Sequence, residues 1–309
     1  MSEMITVKNV TKKFGDFTAL NDINMSVEKG CVYGLVGPNG AGKSTIIRHL
    51  TGVYRQDAGE VKIAGEKVYE NSSIKSKFAY VPDDIFYFVG DNAIDQMKMY
   101  KGLYPNFDEA LFYELSKCFP EVDLKKNIRN LSKGMQKQVS FMLSIASRPE
   151  LLILDEPVDG LDPVIRRQIW SILMQDVAEH EVTVLVSSHN LRELEDVCDH
   201  VGIMNHGKLI LEKTLDDLQS DITKIQVAFA DDEGMVNAEN RLKENGIEIQ
   251  KNNTVGKVHN FIMRGNRDTA ISIINSMNPI LVDILPLTLE EIFIYELGGE
   301  NYAVKDIVL

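Results

Sequence analysis

Apolar and polar positions along the chain follow two alternating rhythms. Unbroken apolar runs at residues 32–36, 151–154 and 182–186 read as strands buried on both faces, the pattern of a parallel sheet. Elsewhere apolar residues recur three and four apart. Val139, Met142, Leu143 and Ala146 share one predicted helix face. Ile165, Ile169, Ile172, Leu173 and Val177 share another, with Trp170 packed beside the stripe. Short strands are expected near residues 5–7, 61–63 and 77–81, and residues 85–148 read as mostly helical, from "NAIDQMKMYKGLY" and "DEALFYELSKCF". Alternating strands and helices predict an α/β fold.

Near residue 215 the rhythm changes. "KIQVAFA" alternates with period two, and "MVNAENRLKENG" has helical spacing that stops at Gly246. "IEIQKNN" and "KVHNFIMRG" form a predicted hairpin, "RDTAISIINSM" a helix and "ILVDIL" an extended run. The order β-α-β-β-α-β is a ferredoxin-like pattern. "TLEEIFIYELG" then predicts a helix opened by a Thr288–Glu291 capping box. Two domains are therefore expected: residues 1–215, with a helical subdomain at 85–148, and an α+β accessory or regulatory domain at 216–309. The second carries no catalytic cluster, and its His259 reads as structural.

Composition narrows the setting. The 309 residues, 44% of them hydrophobic and 26% charged, supply real cores. No apolar run reaches the roughly 20 residues that span a bilayer, and "MSEMITVKNV" lacks the pattern of a secretory signal. Cys31, Cys118 and Cys198 are scattered, without metal spacing or an even disulfide set, which predicts a reducing, cytosolic setting. A net charge of −13 argues against a nucleic-acid partner, since such binding rests on clustered Lys and Arg.

The chemistry concentrates at strand ends. The 32–36 run leads into Gly37-Pro38-Asn39-Gly40-Ala41-Gly42-Lys43-Ser44-Thr45, which matches G-x-x-x-x-G-K-[ST]. Such a loop turns successive backbone N–H groups toward phosphate oxygens. Lys43 supplies a cation for the β- and γ-phosphates, Ser44 offers a hydroxyl to Mg²⁺, and the helix that follows adds its dipole. In "LLILDEP", Asp155 and Glu156 emerge where α/β sheets bind ligands. Asp155 is placed to hold Mg²⁺ through water, and Glu156 to polarise an attacking water. His189 closes "VTVLVSSH", within reach of the same γ-phosphate. In "LSKGMQKQ", Ser132 reads as an N-cap at a helix start, a position that attracts anions.

Together these motifs, with "DGLDP" at 159–163, resemble in order and spacing the nucleotide-binding subunits of ATP-binding cassette transporters, over about the first 215 residues. The resemblance implies a P-loop ATPase domain that uses ATP and Mg²⁺. It implies a head-to-tail pair of cassettes, identical or paralogous, in which Ser132 and Gly134 of one chain reach the γ-phosphate bound by the other. It further implies Glu156 as base and His189 as γ-phosphate sensor. Phe14 of "TKKFGDFTAL" takes the place of the aromatic that stacks on adenine, whereas Phe17 reads as core, and Asp162 takes the place of the acid that couples the two sites. A separate membrane permease is the implied partner, which would hold the chain at the inner face of the membrane.

Two departures stand out. The signature reads Leu131-Ser-Lys-Gly-Met135 where Leu-Ser-Gly-Gly-Gln is usual, with Lys133 near phosphate or in solvent. Asp83, in "FAYVPDDIF", replaces the usual glutamine; it offers Mg²⁺ a hard oxygen and adds a charge beside Asp155 and Glu156. Both departures resemble the subgroup serving bacterial ABC-2-type exporters. In "DDIFYFVG", Phe86, Tyr87 and Phe88 line either a groove for a partner helix or the helical lobe's own core, with the core favoured. The competing reading is a soluble cassette ATPase acting on ribosomes or DNA, or a regulatory ATP switch.

Overall fold

The computed structural model describes residues 2–230, 232–255, 257–285 and 287–292. The chain divides into two compact units, Met1–Glu212 and Lys213–Leu309.

In the first unit the strands are β1 (Glu3–Phe14), β2 (Phe17–Glu28), β3 (Val32–Val36), β4 (Ala58–Ile63), β5 (Glu66–Lys67), β6 (Phe78–Val81), β7 (Leu151–Asp155), β8 (Thr183–Ser188), β9 (His200–Asn205) and β10 (Lys208–Thr214). They build two sheets, ordered β2-β1-β4-β5 and β10-β9-β3-β8-β7-β6. Strands β3, β7 and β8 are buried along their whole length, as their unbroken apolar runs demand. They pair in parallel, with Asp155 opposite Ser187 and Val36 opposite Ser188, so their carboxyl ends coincide. That register brings the chemistry of distant segments together.

The N-terminal hairpin differs from the expectation. Strands β1 and β2 are long and antiparallel, where the pattern had marked only residues 5–7 as strand. Register shifts along β1 displace the alternation of buried and exposed positions and so hide the strand from period counting.

The helices are α1 (Lys43–Leu50), α2 (Ser72–Lys75), α3 (Ala93–Leu103), α4 (Glu109–Cys118), α5 (Lys133–Ala146), α6 (Pro163–His180) and α7 (Leu191–Glu195). Ile46, Ile47 and Leu50 of α1 join Val7, Leu20, Leu35 and Ile153 in one core, which anchors the phosphate-loop helix. Along α6 the buried residues are Ile169, Trp170, Leu173 and Asp176, so the core stripe includes Trp170 and one carboxylate. Arg148 (φ +48°) ties that carboxylate to Asp108, the N-cap of α4.

The second unit contains α8 (Leu215–Asp221), β11 (Ile222–Ala228), α9 (Asp232–Glu244), β12 (Glu248–Val255), β13 (Val258–Arg264), α10 (Arg267–Asn275) and β14 (Leu281–Leu285). Its sheet, ordered β12-β13-β11-β14, is antiparallel throughout, and β11 to β14 with α9 and α10 follow the ferredoxin-like order. Ile225, Val227, Phe261 and Met263 meet Ala238, Leu242, Ala270 and Ile274 in a separate core. The predicted capping box is present: Thr288 N–H donates to Glu291 Oε2 (3.1 Å) and Glu291 N–H to Thr288 Oγ1 (3.2 Å). The predicted helix beyond residue 292 lies outside the described residues.

Candidate active site

The phosphate loop owes its shape to close approaches. A Cβ on Gly37 would overlap the Met204 carbonyl oxygen, so no side chain fits there. Gly42, at φ +109°, is the N-cap of α1 and offers no side-chain cap, so no side chain competes for the first N–H groups of that helix. Lys43 is buried; its ammonium donates to the Gly37 carbonyl (2.7 Å) and lies 3.8 Å from Glu156 Oε1. Burial holds the Lys43 pKa below its ordinary value, against the opposing pull of Glu156 and Asp155. Ser44, next along the helix, is exposed at the loop.

Strand β7 delivers the two acids differently. Asp155 continues the strand, is buried, and accepts a 2.5 Å hydrogen bond from the Ser187 hydroxyl. Glu156 turns into the left-handed region (φ +49°), unusual for a residue with a side chain. Its N–H donates to the Ser187 carbonyl (3.1 Å), so β8 supports the turn. His189, one residue beyond β8, places Nδ1 2.9 Å from Glu156 Oε2. Lys43, Glu156 and His189, contributed after β3, β7 and β8, thus form one chain of contacts.

A cavity of about 300 Å³ opens on this edge, lined by Phe17, Ala19, residues 38–45, Asp83, Asp155 and Glu156. Its wall combines phosphate-loop backbone with hard oxygen donors from Ser44, Asp83 and Asp155. Such a set suits Mg²⁺, which takes few protein ligands and completes its shell with phosphate and water. Among the described residues no group of three or more His, Cys, Asp or Glu is arranged to hold a metal alone, which fits sharing with phosphate.

Phe17 corrects an expectation. It is 66% exposed and lines the cavity instead of entering the core. Phe14 pairs with it across the hairpin end and is 45% exposed. The Phe14 ring meets Tyr54 edge-on (5.5 Å between centroids), with Lys12 Nζ 5.6 Å from its centre. The turn signal Gly15-Asp16 between the two phenylalanines is the clue that both rings share one end of a hairpin.

Ser132 and Gly134 stand apart from this cavity. Ser132 caps α5, its hydroxyl accepting the Met135 N–H (3.2 Å). Gly134 and the exposed Lys133 border a second cavity with Asp83, Asp84, Lys137, Asp159 and Gly160. Asp162 caps α6 by accepting the N–H groups of Val164 (3.0 Å) and Ile165 (3.1 Å). The three aromatics of the 85–89 stretch divide. Tyr87 is buried and donates to the Gln136 carbonyl (2.8 Å), whereas Phe86 and Phe88 are 75% and 56% exposed. Sequence reasoning missed Lys137, whose ammonium pairs with Asp83 (3.2 Å). No spacing rule marks a lysine whose partners come from three other segments.

Comparison with known proteins agrees with this geometry. The family described as "ABC transporter" matches residues 20–159. The ABC transporter ATP-binding protein YtrB of Bacillus subtilis is 29% identical over 298 residues, covering 96% of this chain and 99% of that protein. The lantibiotic transport ATP-binding protein SrtF of Streptococcus pyogenes is 33% identical over 214 residues, covering 69% and 92%. A solved structure of an ATP-binding subunit of an ABC transporter superposes with a TM-score of 0.65 at 27% identity, over 70% of this chain and 92% of that one. With a phosphate loop, two acids and a histidine on one sheet edge, the chain belongs to the ABC transporter family, as one of its ATP-binding subunits.

Proposed function

We propose that this chain hydrolyses ATP to power a separate membrane permease that works as an exporter. The observation that carries the reading is the contact chain Lys43–Glu156–His189 at the edge of the phosphate-loop cavity. In this account the N–H groups of residues 37–45 and the Lys43 ammonium hold the β- and γ-phosphates, and Phe14 stacks on adenine. Ser44, Asp83 and, through water, Asp155 would hold Mg²⁺, which neutralises phosphate charge when bound. Glu156 accepts a proton from the attacking water as the oxygen bonds to the γ-phosphorus and the bond to the bridging oxygen breaks. His189 fixes the Glu156 carboxylate and contacts the γ-phosphate.

Ser132 and Gly134 complete the site of a second cassette, identical or paralogous, and Asp162 couples the two. Their distance from their own phosphate-loop cavity supports that assignment. Phe86, Phe88 and Val89 form an exposed apolar patch suited to a helix of the permease, which would keep the chain at the cytoplasmic face of the membrane. No helix of the described residues is long and apolar enough to cross a membrane. Residues 1–215 act as the ATPase domain, with 85–148 as its helical subdomain, and 216–309 as an accessory domain. The export direction is supported by the transport role named for SrtF.

The test is a tagged pull-down from detergent-solubilised native membranes, with bound proteins identified by mass. A polytopic membrane protein at stoichiometric yield is expected. Recovery of ribosomes, DNA proteins or nothing would remove the transport role and leave the ATPase chemistry standing.

A further inference from the structure

One ammonium in the first unit ties together three segments that sequence keeps far apart. Lys137 lies in the second turn of α5. Its Nζ is 2.9 Å from the Glu156 carbonyl oxygen, 3.2 Å from that of Asp159 and 3.2 Å from Asp83 Oδ1. An ammonium has three donors and no acceptor, so this set uses all of them. The lysine side chain is only 11% exposed, so these bonds form with little competition from water.

Each partner has its own need for the cation. A residue with a Cβ in the left-handed conformation costs about 1–2 kcal/mol, and Glu156 adopts it. A hydrogen bond from a charged donor contributes about 1.5–3 kcal/mol, so the bond from Lys137 to the Glu156 carbonyl offsets that strain. Asp83, beside Asp155 and Glu156 on the cavity wall, gains a neutralising charge. The loop that carries Asp83 is fixed to α5 a second time, by the Tyr87 hydroxyl on the Gln136 carbonyl. Arg129 in turn donates to the Tyr87 carbonyl at 2.8 Å. Exposed Phe86 and Phe88 ride on that same loop.

We propose that Lys137 is a positioning residue for ATP hydrolysis: it holds Glu156 in its left-handed turn and joins the 82–88 loop, the start of α5 and the end of β7 into one unit. A displacement of the aromatic loop then reaches the Glu156 carboxylate through Asp83 and Lys137. This inference rests on the reading of Glu156 as the base.

The experiment compares the full chain with Lys137→Met, Lys137→Arg and Asp83→Asn. It measures kcat and KM for ATP, binding of a fluorescent ATP analogue, and amide hydrogen exchange by mass spectrometry. Lys137→Met should lower kcat about tenfold or more while analogue affinity stays within about twofold. Exchange should rise in segments 82–88 and 156–161 and stay level in 37–50. Lys137→Arg, which keeps the charge and the donors, should recover most of kcat. Asp83→Asn should fall between, because the two carbonyl bonds remain.

Unchanged exchange at 156–161 in Lys137→Met would overturn the proposal. So would parallel losses of kcat, affinity and melting temperature that Lys137→Arg fails to reverse. If Lys137→Met does not fold, Asp83→Asn decides: a lower kcat with raised exchange at 82–88 supports the tether, and wild-type values refute it. If the wild-type chain releases no phosphate, the ATPase reading fails, and the exchange measurement alone still judges whether Lys137 holds the strand end.

Discussion

The two units use the same ingredients, a sheet with helices packed on it, and only one of them gathers reactive groups. In the first, β3, β7 and β8 run parallel in register, so everything that follows them arrives at one edge: Lys43, Glu156 and His189. In the second, each strand runs against its neighbours, so successive strand ends alternate between two edges. Its described core is built from Ile225, Val227, Phe261, Met263 and the apolar faces of α9 and α10. Parallel order makes a site by convergence; antiparallel order makes packing without it. The first unit should therefore fail chemically under substitutions that barely change its stability, and the second should do the reverse.

The largest effect is expected in the second unit. Phe261 is fully buried, and Phe261→Ala should cost about 3–5 kcal/mol through lost transfer energy and a cavity. Calorimetry should show the loss, and ATP-analogue affinity of the folded fraction should stay at the wild-type value. A drop in affinity would mean that the second unit shapes the nucleotide site.

Next comes the converse. Lys43→Ala removes a charged donor from the phosphate loop, and analogue titration should show a loss of about 1.5–3 kcal/mol, ten- to a hundredfold. The melting temperature should hold or rise, because a buried ammonium that burial already disfavours has been removed. Unaltered affinity would detach the loop from phosphate binding.

The smallest effect belongs to a carboxylate that does no chemistry. Asp176 is buried on α6, with Oδ1 near Arg148 and His180 and Oδ2 without a hydrogen-bond partner in the described structure. Burial raises its pKa above the ordinary 3.8, against the attraction of His180 and Arg148. The native state therefore holds this proton more tightly than the unfolded chain. Ionisation costs stability as pH rises through the window just above 3.8, and the cost is absent below it. Asp176→Asn should gain on the wild type between acid and neutral pH in paired thermal melts, with turnover unchanged. A constant difference across that range would show that the Arg148 and His180 contacts outweigh burial.

What the sequence revealed was what is local. The glycines of the phosphate loop, the buried runs ending at Asp155 and Ser188, and the period-two strands of the second unit are each written in consecutive residues. What it hid depends on which loops meet. Register shifts concealed the long first hairpin. Phe17 read as core because its exposure follows from where that hairpin ends. Lys137 looked like any polar residue of an amphipathic helix, since its acceptors lie 54, 19 and 22 residues away. Asp176 sat in an apolar stripe that period counting assigned to Val177.

The most direct measurement is phosphate release by the purified full chain and by Glu156→Gln, with bound nucleotide quantified in the same samples. Loss of a general base predicts a fall of about 10²–10⁴-fold in turnover, with ATP retained on the variant and its chains held in pairs. Turnover within twofold of the wild type would contradict the account, because the converged carboxylate would then not be the base.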